Sequence, residues 1–293
     1  MHGSERLWRS WAPRLATYAQ ALRSMTLPAP GSGSDEAQFT ITVLRNAFDV
    51  WFEPEIKRRQ EAGTLPKPFS LWAAQVLMEL GKSPVIRFND QIRGVLKARA
   101  DSDTKLPIQQ GSELRLADLG EIVGLQLTGE EANAGHLTAI FHKGTWYLLF
   151  DFRYNAARIA RHLEVAEQFL SAAETALAKR HRNASLENLY AAVELTAKCY
   201  LLMLPDERLL AKTRHRFVAT EFNRHGGQHG NVDASFVDLL NRLAAIRTKA
   251  RFPDEPFEAT ESDIGAWLTT ARSMLADLDS RRPRRYGDDA TTT

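Results

Sequence analysis

Apolar residues recur at helical spacing throughout the second half of the chain. From Asn155 onward they return every three or four positions, which places them on one face of each helix. Breaks at Pro205, Gly226 and Pro253 separate the apolar stretches. The pattern predicts an antiparallel five-helix bundle over residues 153–279. The five predicted helices cover residues 159–177, 186–204, 212–224, 234–252 and 260–278.

Two of these helices carry recognisable start signals. Asn183 or Ser185 is predicted to cap the second helix, because short polar side chains accept hydrogen bonds from free backbone N–H groups. Thr260 and Asp263 have the spacing of a capping box at the start of the fifth helix. Gly226 and Gly227 are predicted to end the third helix.

The region from residue 39 to residue 152 mixes two periodicities. Phe39, Ile41 and Val43 alternate as in a strand, whereas Leu44 and Phe48 would also suit a helix. Strands are predicted at 85–88, 122–127, 137–141 and 146–152, with helices at 54–63 and after Asn89 and a capped apolar segment at 70–81. Gly144 predicts a hairpin turn between the last two strands. We predict an α+β domain, so the fold class is mainly α with an N-terminal α+β domain before the bundle.

Both ends of the chain differ from these two domains. Residues 1–25 read as an amphipathic helix, because arginines alternate with large apolar residues. Residues 26–38 are rich in proline, glycine and small residues and are predicted to form a linker. Residues 280–293 form a basic tail that is predicted to be disordered.

Composition and charge exclude several classes of protein. The 293 residues are enough for two domains, and 44% hydrophobic with 25% charged residues is typical of a soluble globular protein. A net charge of +2 gives no overall field that would draw nucleic acid. Cys199 is the only cysteine, and no run approaches the roughly 20 apolar residues of a membrane span. We therefore expect a cytoplasmic protein with no membrane association and a buried cysteine.

Three segments of the helical half resemble a known family, the HEPN domain. They are 190–202 (Tyr-Ala-Ala-Val-Glu-Leu-Thr-Ala-Lys-Cys-Tyr-Leu-Leu), 213–215 (Thr-Arg-His) and 243–254 (Leu-Ala-Ala-Ile-Arg-Thr-Lys-Ala-Arg-Phe-Pro-Asp). The resemblance covers about 120 residues and includes nothing before Tyr154. It implies a helical bundle that forms a homodimer.

The ribonuclease branch of this family carries an arginine followed roughly four to six residues later by a histidine, which transfers protons on RNA. The corresponding late segment here reads from Arg247 to Phe252 and contains no histidine. A literal match exists at Arg224 and His229, but it spans two glycines. These two residues are the catalytic candidates, with Arg247 and Arg251 as the alternative for a relocated site, and any activity would be that of a metal-independent endoribonuclease.

Binding residues are predicted from histidines and local positive charge. His215, His225 and His229 do not have the spacing of a metal site on a rigid element, so we predict no metal and no cofactor. Four cations concentrate near the end of the fourth predicted helix and suit phosphate groups of RNA or a nucleotide: Arg242, Arg247, Lys249 and Arg251. With His215 and His225 they are the candidate binding residues.

Three hypotheses about function follow. The first is a noncatalytic HEPN protein that binds a nucleotide, RNA or a protein partner, in a stress or defence module. The second is a HEPN ribonuclease toxin or defence effector with a relocated Arg/His site. The third is a dimeric scaffold. Because the late histidine is missing, the sequence favours the first hypothesis.

Overall fold

The computed structural model describes residues 35–100, 119–211, 215–252 and 257–282. The chain is mainly helical, with an N-terminal sheet region and a C-terminal helical region. It divides into an N-terminal unit (residues 1–78, 82–128 and 135–151) and a C-terminal unit (residues 79–81, 129–134 and 152–293). Two short segments of the first half thus belong to the C-terminal unit.

Helices open the described part of the N-terminal unit. Helix α1 (Asp35–Ala47) runs through a π-helical turn (Phe48–Phe52) into α2 (Glu53–Glu61). The helical alternative for residues 39–43 is therefore the right one, and the predicted linker is too long because residues 35–38 are helical. Pro54 lies in the first turn of α2, directly after the π-helical turn, and has no backbone N–H to donate to that turn.

A four-stranded antiparallel sheet forms the centre of this unit. Its strands are β1 (Ala73–Met78), β2 (Val85–Phe88), β5 (Gly135–His142) and β6 (Thr145–Asp151), in the order β2-β1-β5-β6. Strands β3 (Val95–Ala100) and β4 (Leu119–Gln126) pair separately. Ala74 and Val76 pack against Phe52 on one face, while Ala73 packs against Ile122 on the other. Burial on both faces explains why β1 lacks strand alternation, and its one polar residue, Gln75, is buried with its amide hydrogen-bonded to Thr138.

Turn residues account for the connections of the sheet. The β5–β6 hairpin forms as predicted, with Lys143 and Gly144 both at positive φ, the geometry that a two-residue turn requires. The helix predicted after Asn89 is only one 3-10 turn, Asn89–Gln91. The Asn89 side chain instead accepts hydrogen bonds from the backbone N–H groups of Trp72 and Ala73.

The described C-terminal unit contains six α-helices around one apolar core. They are α3 (Ala156–Ala178), α4 (Arg182–Leu202), α5 (Arg208–Ala211), α6 (His215–Phe222), α7 (Ala234–Arg251) and α8 (Glu261–Arg281). Each of them contributes buried residues to this core, and the short helix α5 does so through Leu209. Within the described residues, no helix is both long and apolar enough to cross a membrane.

Two predicted helix starts have different outcomes. Thr260 and Asp263 form the capping box of α8 as predicted. Neither Asn183 nor Ser185 caps α4, which already begins at Arg182. Their side chains donate to the carbonyls of Ala250 and Ala173 instead, so they tie α4 to α7 and α3.

The third predicted helix differs most from expectation. Helix α6 ends at Phe222 and continues as a π-helical turn, Asn223–Gln228, so the glycines lie inside a helical turn. Gly226 is buried against Val232 and Val237. Close packing, not a C-cap, therefore accounts for this glycine.

The last helix extends into the predicted tail. Arg281 belongs to α8, and its backbone carbonyl accepts a hydrogen bond from Arg153 at 2.8 Å. The prediction of disorder is wrong for residues 280–282. The predicted helix 1–25, most of the linker and the tail beyond residue 282 lie outside the described residues.

Candidate functional site

A groove of about 450 Å³ opens on the C-terminal unit between α4, α6 and α7. Nine residues line it: Tyr190, His215, Arg216, Ala219, Ala244, Arg247, Thr248, Arg251 and Phe252. We call it the arginine groove. All of its lining residues come from this unit.

The periodicity of α7 decides which cations reach the groove. Ala244, Arg247, Thr248 and Arg251 are three or four residues apart and share one helix face. Arg242 lies outside this face, with its guanidinium 5.8 Å from the centre of the Trp267 ring. Lys249 is not among the residues that line the groove. The structure thus brings Arg247 and Arg251 together with His215 and leaves Arg242 and Lys249 elsewhere.

Arg247 is held in place by Tyr190 of α4. Its guanidinium carbon lies 4.4 Å from the centre of the Tyr190 ring, in cation–π geometry. The Tyr190 hydroxyl donates to Glu194 at 3.1 Å. Burial, followed by the charge of Glu194, raises the pKa of Tyr190, so its hydroxyl stays protonated at neutral pH. The result is a guanidinium that is oriented by an aromatic ring.

The carboxylates next to the groove are occupied by cationic or polar partners. His215 Nδ1 is hydrogen-bonded to Glu194 Oε1. Arg251 donates to Glu187 Oε2 at 2.6 Å. The other carboxylate oxygen of Glu187, Oε1, is buried and has no hydrogen-bond partner among the described residues.

The groove keeps an excess of positive charge. Arg216 and Arg247 make no ion pair with any carboxylate in the described ranges. Arg251 is paired, but its side chain is still 52% exposed. Guanidinium groups in such a position can bind phosphate or carboxylate with two parallel hydrogen bonds. The groove thus presents cationic groups beside an aromatic ring.

Arg224, His225 and His229 form a second group in and just after the π-helical turn. Arg224 is ion-paired with Glu221 at 2.6 Å, and Asn231 is hydrogen-bonded to His225 Nδ1 at 3.2 Å. Burial lowers the pKa of His225, and the charges of His229 and Arg224 lower it further. His225 therefore lies close to both residues of the predicted pair. His215 belongs to the arginine groove instead.

No group of three or more histidine, cysteine, aspartate or glutamate side chains is arranged to hold a metal ion in the part of the chain that the structure describes. The three histidines on and after α6 therefore do not converge within these residues.

Sequence reasoning missed four residues around the groove: Tyr190, Glu187, Glu194 and Arg216. Tyr190 and Glu194 are four residues apart on α4, and that spacing was the available signal. It does not show which helix lies opposite, and an aromatic residue in an apolar helix usually belongs to the core. The packing of α4 against α7 is what places Tyr190 in the groove, in contact with Arg247.

The arginine groove and the π-helical turn both lie inside a region that matches a family model. Residues 159–281 match the family model of the HEPN domain, and the match runs from the first turn of α3 to the end of α8. No family model covers the N-terminal half. A search of curated proteins finds no match to this chain. Together with the helical architecture, the match shows that residues 159–281 form a HEPN domain.

Proposed function

We propose that the HEPN domain binds a phosphate-bearing nucleotide ligand in the arginine groove and does not cleave it. The observation that carries the proposal is the meeting of Arg216, Arg247, Arg251 and His215 beside the Tyr190 ring. Cationic side chains favour phosphate groups, and the Tyr190 ring, which is itself only 5% exposed, orients the Arg247 guanidinium. A nucleotide and a segment of RNA both carry such phosphate groups.

The hydrogen-bonding groups of the groove support the same ligand. Tyr190 holds Arg247 by cation–π contact, so little side-chain entropy is lost when a phosphate binds. Glu187 does not line the groove, but its ion pair with Arg251 holds a second guanidinium beside Arg247. The groove therefore offers oriented cationic groups for a phosphate.

Binding without cleavage is supported by the scarcity of proton-transfer groups. Metal-independent cleavage of RNA needs one group that removes a proton and a second that protonates the leaving oxygen. Among the described residues, His215 is the only histidine that lines the groove, and it is hydrogen-bonded to Glu194. Arg251 and Phe252 occupy the end of α7, near which the ribonuclease branch would carry its histidine.

Binding of a fluorescent adenine nucleotide and of a labelled single-stranded RNA tests the proposal. We expect Arg247→Gln to weaken both by about tenfold at low salt, since a charged hydrogen bond to phosphate is worth roughly 1.5–3 kcal/mol. Arg272→Gln is the matched control, because Arg272 is ion-paired with Glu174 on another face. Equal affinities for wild type and Arg247→Gln would refute the proposal.

A ribonuclease is the second candidate function. It is favoured by the proximity of Arg224 and His229 to His225. It predicts that the purified protein degrades RNA in EDTA, that His229→Ala abolishes the degradation, and that expression arrests growth, as for a toxin or defence effector. Intact RNA after incubation with wild-type protein would exclude this candidate, whereas loss of cleavage in His229→Ala would exclude the noncatalytic proposal.

A homodimer through the helical bundle is part of the proposal. HEPN domains often dimerise, and a dimer would present two arginine grooves to one ligand. Light scattering on the purified full chain measures the mass directly. A monomer at micromolar concentration, with or without RNA, would contradict the dimer. It would not affect the groove proposal, which the binding measurements on Arg247→Gln test.

A further inference from the structure

Helix α1 of the N-terminal unit has an exposed face with large apolar side chains at both of its ends. Phe39 is 55% exposed, and Val50, in the π-helical turn that continues α1, is 63% exposed. The opposite face is buried on the sheet, where Leu44 packs against Ala139. The exposed positions recur at steps of three and four and form what we call the α1 outer face: Phe39, Thr42, Asn46 and Val50.

Acidic groups lie at the π-helical end of the α1 outer face. Asp49 is exposed and makes no ion pair with any residue in the described ranges. Glu53 follows one turn later and is paired with Lys57 at 2.9 Å. A second copy of this face would bring like charges together, whereas a basic amphipathic helix would complement it.

A segment of the same chain has the properties of such a helix. Trp11, Leu15, Tyr18 and Leu22 follow each other at steps of four, three and four, which places them on one stripe of the amphipathic helix predicted over residues 1–25. Pro13 falls within the first turn of this stripe, a position where a helix tolerates proline. The segment lies outside the described residues, so its sequence supplies this part of the argument.

The spacing of the stripe matches that of the α1 outer face. Trp11 and Leu22 are 11 positions apart, and so are Phe39 and Val50. Each pair therefore spans about 16 Å along a helix. Two antiparallel helices in this register bring Trp11 opposite Val50 and Leu22 opposite Phe39.

The same register satisfies the polar groups of both helices. It brings Arg9 and Arg14 within one helical turn of Glu53 and Asp49, respectively, so that opposite charges meet. The Tyr18 ring comes opposite the polar middle of the α1 outer face, where its hydroxyl has hydrogen-bonding groups within reach.

The connection between the two helices favours contact within one chain. Residues 26–34 are rich in proline, glycine and serine, and a flexible linker of this length spans about 15–18 Å on average. Packed helix axes lie about 8–10 Å apart, which such a linker can bridge. Short flexible linkers produce effective concentrations in the millimolar range, so the tethered segment competes well against a second molecule in solution.

We propose that residues 11–22 fold back along α1 as an antiparallel helix and cover the α1 outer face. Trp11 then packs on Val50, and Leu22 packs on Phe39. The inference concerns the N-terminal unit and does not depend on the arginine groove. It assigns the apolar face of α1 to the chain itself and withholds that face from other proteins and from membranes.

Disulfide trapping on the full chain tests the register. Cys199 is the only native cysteine and is buried, so it does not compete with introduced thiols. The pair Trp11→Cys/Val50→Cys should oxidise within one chain at least about tenfold faster than the mismatched pair Trp11→Cys/Phe39→Cys. An unstructured segment predicts the reverse order, because the matched positions are 39 residues apart and the mismatched ones only 28.

Three results of this experiment would overturn the inference. They are equal rates for the two pairs, faster oxidation of the mismatched pair, and disulfides that join two chains, which would assign the face to a second copy. Non-reducing electrophoresis and peptide masses distinguish these results. Circular dichroism checks that each variant folds.

Limited trypsin digestion supplies a second measurement. Val50→Asp should speed cleavage after Arg14 by about fivefold, because a charge in the contact raises the population of the undocked segment. The matched control is Val123→Asp, which places the same charge at a valine of similar exposure on β4. Equal cleavage rates for Val50→Asp and Val123→Asp would contradict the docking of the segment on α1.

Discussion

Burial changes the chemistry of single residues in the N-terminal unit, and His136 is the clearest case. It is only 2% exposed on β5, and its Nδ1 lies 3.1 Å from the hydroxyl oxygen of Thr138. Burial lowers its pKa, while Asp151 and the carbonyl of Leu125 act in the opposite direction. Gln75 donates to the same Thr138 oxygen at 3.1 Å. His136 is therefore a neutral member of a buried polar network at neutral pH.

This network predicts a loss of stability in mild acid. The pKa of His136 is lower in the folded state than the ordinary histidine value of 6.5, which applies to the unfolded chain. As the pH falls through 6.5, the unfolded chain therefore binds more protons than the folded protein does. The free energy of unfolding should therefore decrease from about pH 7.5 to about pH 5.5. Urea titrations should show a shallower decrease for His136→Gln.

The exposed His181 supplies the control, and His181→Gln should keep the pH dependence of the wild type. Part of that dependence should remain in His136→Gln, because burial also lowers the pKa of His162 and His225. Identical slopes in wild type and His136→Gln would show that His136 is not linked to folding.

At the scale of elements, helix periodicity and close packing sort residues that look equivalent in the sequence. On α7 the period of 3.6 residues directs Arg247 and Arg251 to the groove, while Arg242 reaches Trp267. After α6, two adjacent glycines have different surroundings. A β-carbon on Gly226 would lie 2.4 Å from Val232 Cγ2, whereas one on Gly227 would lie 3.9 Å from its nearest neighbour.

The two glycines make a matched pair of predictions. Gly226→Ala should destabilise the protein by about 1–3 kcal/mol, because the methyl group overlaps Val232 and Val237. Gly227→Ala should change the stability by less than about 1 kcal/mol, and in the favourable direction, since alanine prefers a helical backbone. Urea unfolding measures both values. A similar loss for the two variants would mean that backbone flexibility, and not packing against the valines, requires these glycines.

At the scale of the whole molecule, the C-terminal unit depends on a segment from the first half of the chain. The side chain of Asn155, the residue before α3, donates to the carbonyl of Leu202 and does not cap the helix. Asn133, in the segment 129–134, caps the helix instead. Its side-chain Oδ1 accepts a hydrogen bond from the backbone N–H of Arg158 at 3.2 Å. Its backbone carbonyl also accepts from the N–H of Asn155 at 3.0 Å. The C-terminal unit thus includes residues from both halves of the sequence.

Asn133→Ala should therefore lower the free energy of unfolding by about 1 kcal/mol, as the loss of a helix N-cap does elsewhere. The control is Asn188→Ala, which removes an amide bonded only to the carbonyl of Ala184 in its own helix. We expect that variant to be neutral or slightly stabilised in urea, because alanine is the better helix former. Equal stability of Asn133→Ala and wild type would show that water replaces this cap without cost.

The sequence by itself determined the features that depend on near neighbours. The apolar period after Tyr154 predicted a helical C-terminal region, Thr260 and Asp263 predicted a capping box, and Gly144 predicted a hairpin. Each of these forms, although the region has six described α-helices where five were predicted. Their energies arise within a few residues, so a local pattern contains the necessary information. The resemblance of 190–202 and its companion segments to the HEPN family is matched by the family model over residues 159–281.

Only the tertiary structure decided which distant residues meet. It placed Tyr190, His215 and Arg247 around one groove, drew Asn183 and Ser185 away from capping, and made residues 73–78 a strand that is buried on both faces. Each of these outcomes depends on a side chain from another element, because packing and hydrogen bonding across helices override local preference. The candidate binding surface is a property of how the helices pack, and the spacing of charges along the chain does not contain it.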